Sequence, residues 1–490
     1  MKVTFIYTDY NPLGYNTNKF AIGVAILSSY LKGKGHQTSL IHISDKINSE
    51  ELITHIQEHK PDLLAFSFMT STWPQVKKFT SWIKEINIPR IYGGVHPTMN
   101  PEEVINYDGI DVLCIGEGEE ALLDLCNHME AGFDIQGIKN LWIKKKNGEV
   151  VKNPIRPLIE NLDDLPELDY DLFNYSELCD AKDMKRLVVM ASRGCPYQCT
   201  YCCNHYIKSL YPNSEKYLRF KSVDKLIDEI KSGLNKYPFL ETVRFFDDTL
   251  SIKRKWFAEF VEKYSIKIHV GYFCNDRPNH IRQDIAAGYK KSGCELVEMG
   301  IESGNENIRN RIMKRFLSDK QTIDAFRILK SFNIKTTTFN ILGVPSETIH
   351  SLLDTVKLNA KAGPDIFTNA FFRPFNRTKI SEICEMKNVQ TDREGYSFFE
   401  KPILSLDTVS EHQLIFVYKY FKILVTIYRG FMKFPRYLSI KFIAIVDKLL
   451  SSQYFPYRFF NRNFVKIDSI FLFIFSFMRR CLRFLNFIRF

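Results

Sequence analysis

The 490-residue sequence predicts an α/β protein: a doubly wound parallel sheet, then a partial parallel (β/α)6 barrel, then a mainly helical C-terminal segment. Three observations carry that expectation. Short apolar runs alternate with helical patterns over residues 1–130, and again over 186–380, as they do in parallel sheets built from β-α units. A chain of this length exceeds one ordinary core, so two or three domains are expected. From Glu411 onward the composition turns to Phe, Tyr, Ile, Lys and Arg, with no run of alternating strands.

In the first domain, residues 1–135, strands are expected at Val3–Tyr7, Ser39–Ile43, Asp62–Phe68, Arg90–Gly93 and Asp111–Ile115. Helices fit between them, for example Phe20–Lys32 and Gln75–Glu85. Ligands of such sheets bind beyond the carboxyl ends of the strands. The unusual residues collect at those ends: the loop Asp9–Tyr15, then Ser67 to Thr70, Gly93-Gly94-Val95-His96-Pro97, and Gly116-Glu117-Gly118-Glu119. Glycines there let a backbone approach a large ligand closely, although each loop alone also suits an ordinary βα turn. His96, beside a proline, reads as a loop residue near the ligand.

Residues 136–185 read as hairpin and linker. Leu141–Lys146, Asn147-Gly148 and Glu149–Lys152 form a strand–turn–strand pattern. The acidic, proline-containing stretch Leu158–Asn174 reads as extended. In the barrel, residues 186–385, strands are expected at Arg186–Ala191, Glu241–Phe246, Lys267–Phe273, Leu296–Gly300, Thr336–Leu342 and Asp365–Arg373. The helices between them include Val223–Leu234, Lys255–Lys263, His280–Lys291, Asp319–Phe332 and Thr348–Lys361. Chemistry in such a barrel sits at the strand C-termini.

The first strand feeds Ser192-Arg193-Gly194-Cys195-Pro196-Tyr197-Gln198-Cys199-Thr200-Tyr201-Cys202, a C-x3-C-x2-C spacing. Thiolates are soft ligands that suit zinc or iron–sulfur clusters. A structural zinc site closes with four ligands, typically from paired C-x2-C units. Three cysteines instead leave one iron of a cubane open to a substrate. Cys203 is off-register and reads as a buried small apolar residue. The 11 cysteines are odd in number and scattered, which fits a reducing cytoplasm. The N-terminus is too short and polar-interrupted for a signal peptide and reads as the first strand.

The cysteine spacing, with aromatic Tyr201 before the third cysteine, resembles the signature of the radical SAM superfamily. The resemblance implies a 4Fe–4S cluster on Cys195, Cys199 and Cys202, with S-adenosylmethionine on the open iron. Further strands match in family order. Glu298 to Gly304 resembles the ribose-contacting strand, which implies Glu302 and Ser303, with Tyr201, as S-adenosylmethionine contacts. Asn340 to Thr348 resembles the adenine-side strand and turn, which implies Asn340. Pro374 to Lys379 is a worn form of the family's Pro-aromatic-Pro-Gly-Thr turn, with Asn376 and Arg377 in place of Pro-Gly. Asp247 and Asp248 face the substrate or the amino group of S-adenosylmethionine, or else serve as a helix cap and turn.

The first domain, in turn, resembles the cobalamin-binding domain that precedes the barrel in one large subgroup of the superfamily, a group of methyltransferases and anaerobic cyclases. Ser67, Gly93, Gly94, His96, Gly116 and Glu117 carry the match and are implied as cofactor contacts. The departure is in Asp9-Tyr10-Asn11-Pro12-Leu13-Gly14, which keeps the Asp and Gly of a D-x-H-x-x-G motif but lacks its histidine. The resemblance, with that absence, implies cobalamin without a histidine ligand from the protein. The tRNA methylthiotransferase group also places an α/β domain before the barrel. It needs three cysteines there, and only Cys114 and Cys126 are present.

The resemblance implies a methyltransferase acting on an unactivated carbon of a lipid or other small molecule, a tetrapyrrole among them. S-adenosylmethionine is cleaved reductively, a substrate hydrogen is abstracted, and a methyl group arrives by way of cobalamin. A flavodoxin or ferredoxin is the implied electron donor. The alternatives are a non-methylating radical reaction such as oxygen-independent ring closure, and a non-catalytic cobalamin-binding protein.

The last region, residues 386–490, is the basic one. Between Glu411 and Phe490 there are 14 Lys and Arg against 3 Asp and Glu, so the whole net charge of +11 belongs here. Ile470–Met478, closed by Arg479-Arg480, is too short to span a bilayer. Cations and aromatics at helical spacing fit a helix lying in a membrane interface, a cap on the barrel, or a nucleic-acid surface. The first is the expectation: a cytoplasmic protein with peripheral membrane contact and no nucleic acid.

Overall fold

The structure is a computed structural model that describes residues 1–11, 17–387, 389–391, 398–399 and 401–464. Two compact units divide the chain. The first holds residues 1–298, 332–334 and 374–382; the second holds 299–331, 335–373 and 383–490.

The first unit opens with a seven-stranded sheet. Its strands are β1 (Lys2–Thr8), β2 (Gln37–Ile43), β3 (Leu63–Ser67), β4 (Arg90–Gly93), β5 (Val112–Cys114), β6 (Leu141–Lys144) and β7 (Val150–Lys152). Their spatial order is β2-β1-β3-β4-β5-β6-β7. The first five are parallel, and the expected hairpin adds β6 and β7 antiparallel at one edge. The order reverses between β1 and β3, where doubly wound sheets open their ligand crevice. Ile6, Leu64, Phe66, Tyr92 and Leu113 build the core on one face, with Leu52, Ile56, Val76 and Phe79 from the covering helices. The helix Ser49–His59 starts where Asn48 and Glu51 cap each other's backbone, which satisfies N–H groups that otherwise have no partner.

The same unit continues with β8 (Arg186–Val189), β9 (Ser192–Arg193), β10 (Arg219–Phe220), β11 (Thr242–Phe245) and β12 (Gly271–Asp276). β8, β11 and β12 are parallel neighbours, and β9 and β10 form a short antiparallel pair. Strand β13 (Cys294–Glu302) runs from the first unit into the second. The second unit carries β14 (Lys335–Leu342) parallel to β15 (Ile366–Phe371), flanked by the helices Asp319–Ser331 and Ile349–Ala362. Three helices close it, Glu411–Phe431, Arg436–Ser451 and Tyr457–Arg462, and pack Leu414, Val417, Phe421 and Tyr428 against Leu352 and Val356.

Some elements differ from expectation. The strand expected from Lys267 begins at Gly271, because the preceding helix runs on through Lys267 before the chain extends. The helix expected from His280 begins at Gln283, after a one-turn 3-10 segment at Pro278–His280. Gly93 to Pro97 is not a plain loop: Val95–Met99 is a short helix with Pro97 in its first turn, where no N–H is needed. Among the described residues no helix is long and apolar enough to cross a membrane. The expected interfacial run Ile470–Met478, with Arg479 and Arg480, lies outside the described residues, as do Pro12 to Tyr15 of the first loop.

Candidate functional site

A cavity of about 470 Å³ opens within the first unit, and both expected ligand regions line it. From the N-terminal sheet come Ser67, Gly93, Gly94, Thr98, Gly116, Glu117 and Glu119. From the cysteine-loop region come Gly194, Cys203, Asn204, Tyr211, Tyr217 and Asp248. Apolar side chains line it too: Phe5, Ile26, Ala65, Ile91 and Leu122. Gly23 also lines it, and a Cβ there would meet nothing within 4 Å. Such a site suits a large, mainly apolar group that also carries polar edges.

Gly94 makes the close approach possible. Its φ is +105°, and a Cβ would lie 2.7 Å from the Phe68 carbonyl oxygen and 2.8 Å from its nitrogen. Behind it, the Thr98 hydroxyl donates to the Gly94 carbonyl at 2.8 Å and accepts from Gly116 N–H at 3.0 Å, tying two glycine loops together. The sequence carried no signal for Thr98. His96 does not line the cavity. It is buried against Phe68 and Trp73, and its Nδ1 accepts from Asn100 at 3.1 Å. Burial holds its imidazole down at about 4, so it is neutral. No histidine is among the described residues that line the cavity. Asp9 holds the Lys19 N–H at 2.6 Å and pairs with His42 at 3.2 Å.

The acidic Gly116 to Glu119 loop has partners on the chain itself. Glu117 accepts from Arg219 at 2.7 and 3.1 Å and from Arg193 at 3.2 Å; Glu119 accepts from Arg193 at 2.5 Å. Burial works to raise the Glu117 carboxyl, but the hydrogen bonds and charges of the two arginines outweigh it, so it stays below its ordinary value. The Glu117 N–H donates to the Tyr211 hydroxyl at 2.8 Å. Arg193 was legible only as a neighbour of the first cysteine, and Arg219 was not legible at all. Gly194, at φ +86°, lets the strand turn into the cysteine loop; a Cβ there would run into the Tyr217 carbonyl.

The three cysteines stand within that loop, Cys199 buried and Cys195 and Cys202 half-buried. Among the described residues no three His, Cys, Asp or Glu side chains could hold a single metal ion. Cluster ligation does not require that, because each thiolate of a cubane takes a different iron. Burial pushes the Cys195 thiol up to about 12, so a thiolate there would need a bound metal cation to favour it. Arg277 donates to the Cys199 sulfur at 3.4 Å and lies over the Tyr197 ring at 3.5 Å. A cation and a donor at one sulfur suit a cluster ligand. Cys203 is half-buried and lines the cavity, where a fully buried apolar role was expected. Tyr201 is half-buried between Cys199 and Cys202.

Asp247 and Asp248 separate in role. Asp247 is buried, accepts from Ala191 N–H at 3.1 Å and from the Ser192 hydroxyl, and is raised by burial to about 6. It braces the strand that enters the cysteine loop. Asp248, which lines the cavity as Asp247 does, accepts from Asn204 at 3.1 Å; burial raises its carboxyl as well.

In the second unit, Glu302 takes a left-handed φ of +65° and pairs with Arg315 at 3.5 Å, and Arg315 also donates to the Gly300 carbonyl at 2.7 Å. A non-glycine residue held there marks local strain. Ser303 is buried and caps Asn305 N–H at 3.3 Å. Asn340 joins a buried amide network with Asn359 at 2.7 Å, Thr338 at 3.2 Å and Asn369 at 3.1 Å.

Comparison with known proteins matches residues 189–358 to the radical SAM superfamily and residues 18–126 to the B12 binding domain. The chain is 28% identical over 373 residues to an uncharacterised methyltransferase, PH0819, of Pyrococcus horikoshii, covering 75% of this chain and 79% of the relative. It is 26% identical over 434 residues to an anaerobic magnesium-protoporphyrin IX monomethyl ester cyclase of Rubrivivax gelatinosus, covering 85% and 75%. The cobalamin-dependent S-adenosylmethionine radical enzyme OxsB has the same fold, with a TM-score of 0.70 at 14% identity over 92% of this chain and 72% of that one. The radical S-adenosylmethionine methyltransferase TsrM of Kitasatospora setae scores 0.64 at 15% identity, over 82% and 80%. The chain belongs to the radical SAM superfamily, in the group that carries a B12-binding domain, and its cofactors are a 4Fe–4S cluster, S-adenosylmethionine and cobalamin.

Proposed function

We propose that this protein methylates an unactivated carbon of a lipid or other small molecule. One observation carries the reading: the glycine loops of the N-terminal sheet and the cysteine-loop region line one cavity. In this reading residues 1–135 are the cobalamin domain, 136–185 the linker, 186–385 the barrel and 386–490 the C-terminal region. When bound, the cofactors supply the radical and the methyl group; the protein supplies position and exclusion of water.

The residues divide that work. Cys195, Cys199 and Cys202 hold the cluster, and Arg277 donates to the Cys199 sulfur. Asp247, through Ser192 and Ala191, and Glu119, through Arg193, fix the strand that leads into the loop. Ser67, Gly93, Gly94 and Gly116 leave room at the cavity wall, and Phe5, Ile26 and Leu122 give it an apolar lining. Asp248 offers a carboxylate to whatever enters. Tyr201, Glu302, Ser303 and Asn340 are assigned to S-adenosylmethionine. A flavodoxin or ferredoxin supplies the electron. The protein works in the cytoplasm, and its basic C-terminal region touches a membrane.

A second reading, oxygen-independent ring closure, draws support from the likeness to the cyclase over most of both chains. Cells fed methionine with a deuterated methyl group separate the two. Methyl transfer yields a metabolite that carries the intact label and vanishes when the gene is deleted. A gene-dependent product without the label supports ring closure.

A further inference from the structure

Helix Arg436–Ser451 presents a face that the packing of the second unit does not use. Of its residues only Leu450 is fully buried; Ile443 and Val446 lean on the apolar core beneath. The outward residues Tyr437, Ile445 and Leu449 are 65%, 63% and 57% exposed, and Leu438 and Ile440 are exposed beside them. Tyr437, Lys441, Ile445 and Leu449 follow one another at four-residue steps, so they form one stripe. A large exposed apolar patch on a soluble chain marks a binding surface.

The charges are sorted as well. Lys433, Arg436, Lys441 and Lys448 are exposed on or beside this stripe. The helix has one acidic residue, Asp447, and it is turned inward, held by Lys357 at 2.9 Å and by the Tyr428 hydroxyl at 2.5 Å. Lys441 lies over the Tyr437 ring at 4.2 Å. The face thus offers apolar side chains among cations and no carboxylate. Among surfaces the chain could meet, this matches an anionic lipid bilayer, into which apolar side chains insert while ammonium groups meet headgroup phosphates.

We infer that the face of Tyr437, Lys441, Ile445 and Leu449 is the membrane-docking surface of this protein, with anionic phospholipid as its partner. The inference rests on the reading that the C-terminal region touches a membrane, and it names the helix and the lipid. The test is co-sedimentation of the full chain with vesicles of phosphatidylcholine alone, or with about one third phosphatidylglycerol. The chain should partition about tenfold more strongly onto the anionic vesicles and release as salt rises. Two variants, I445S with L449S and K441E with K448E, should each lose about tenfold in partition. Reductive cleavage of S-adenosylmethionine and the circular dichroism spectrum should stay unchanged. Anionic vesicles that bind the parent and both variants equally would overturn this face while leaving C-terminal membrane contact standing. A parent that binds neither vesicle overturns both, and cleavage of S-adenosylmethionine reports separately on the proposed chemistry.

Discussion

Arg193 donates to Glu119 at 2.5 Å, joining the strand that enters the cysteine loop to the first turn of the helix that follows β5. The two lie 74 residues apart in sequence. Glu119 sits at a helix N-terminus, which favours a negative charge, and is almost fully buried. Arg193 also donates to Glu117, so removing Glu119 leaves the arginine paired, whereas removing Arg193 leaves the buried Glu119 carboxylate without its cation. Arg193→Met should therefore cost roughly 3–5 kcal/mol in urea denaturation. Glu119→Ala combined with Arg193→Met should cost less than the single change. A single-variant loss under about 1 kcal/mol would mean the pair behaves as a surface bridge.

Gly94 is the second test of how the two loops meet. Gly94→Ala puts a Cβ against the Phe68 backbone in a left-handed conformation. A loss of about 2 kcal/mol or more is expected in the same denaturation. Cobalamin retained after gel filtration should fall with it. An alanine variant as stable as the parent would show that the Phe68 segment moves freely.

Cys199 and Cys203 are both cysteines of one short stretch, and only the first is assigned to the cluster. Anaerobic reconstitution of Cys199→Ala should leave less iron and sulfide per chain and no 4Fe–4S spectrum. Cys203→Ala should match the parent. The reverse outcome would reassign the ligands.

These residues differ in how far the sequence reveals them. The cysteine spacing and the glycine pairs stand out in the sequence, and Gly94 and Gly116 do take a left-handed backbone that favours glycine. The N-terminal sheet was readable because β-α alternation follows from burial on both faces. The Glu117 and Glu119 partners were not, because an ion pair between distant segments leaves no period in either. His96 misled for a related reason. A His-Pro pair after two glycines reads as a turn, yet proline is tolerated in a first helical turn, so a helix forms and buries the imidazole.

Glu347 gives a prediction about pH. It is fully buried; one carboxylate oxygen accepts from Gly343 N–H at 2.6 Å and Val344 N–H at 3.2 Å, and the other has no hydrogen-bond partner among the described residues. Burial raises the carboxyl to about 8 from 4.5. A group raised on folding contributes its full stability below its unfolded value and loses it as pH rises through the folded one. Stability should fall between about pH 4.5 and 8, and Glu347→Gln, which keeps an acceptor, should remove that part of the slope. Melting temperatures of the two proteins across this window should diverge with rising pH, the variant ending higher. Parallel curves would place a charged carboxylate at this site.

The central claim is that cobalamin and the cluster serve one methyl-transfer site. Its most direct test measures 5′-deoxyadenosine and S-adenosylhomocysteine made by the dithionite-reduced, cluster-loaded protein, with and without cobalamin. The account predicts 5′-deoxyadenosine that requires the cluster, and S-adenosylhomocysteine that appears only when cobalamin is bound. No S-adenosylhomocysteine from protein shown to hold both cofactors would contradict it.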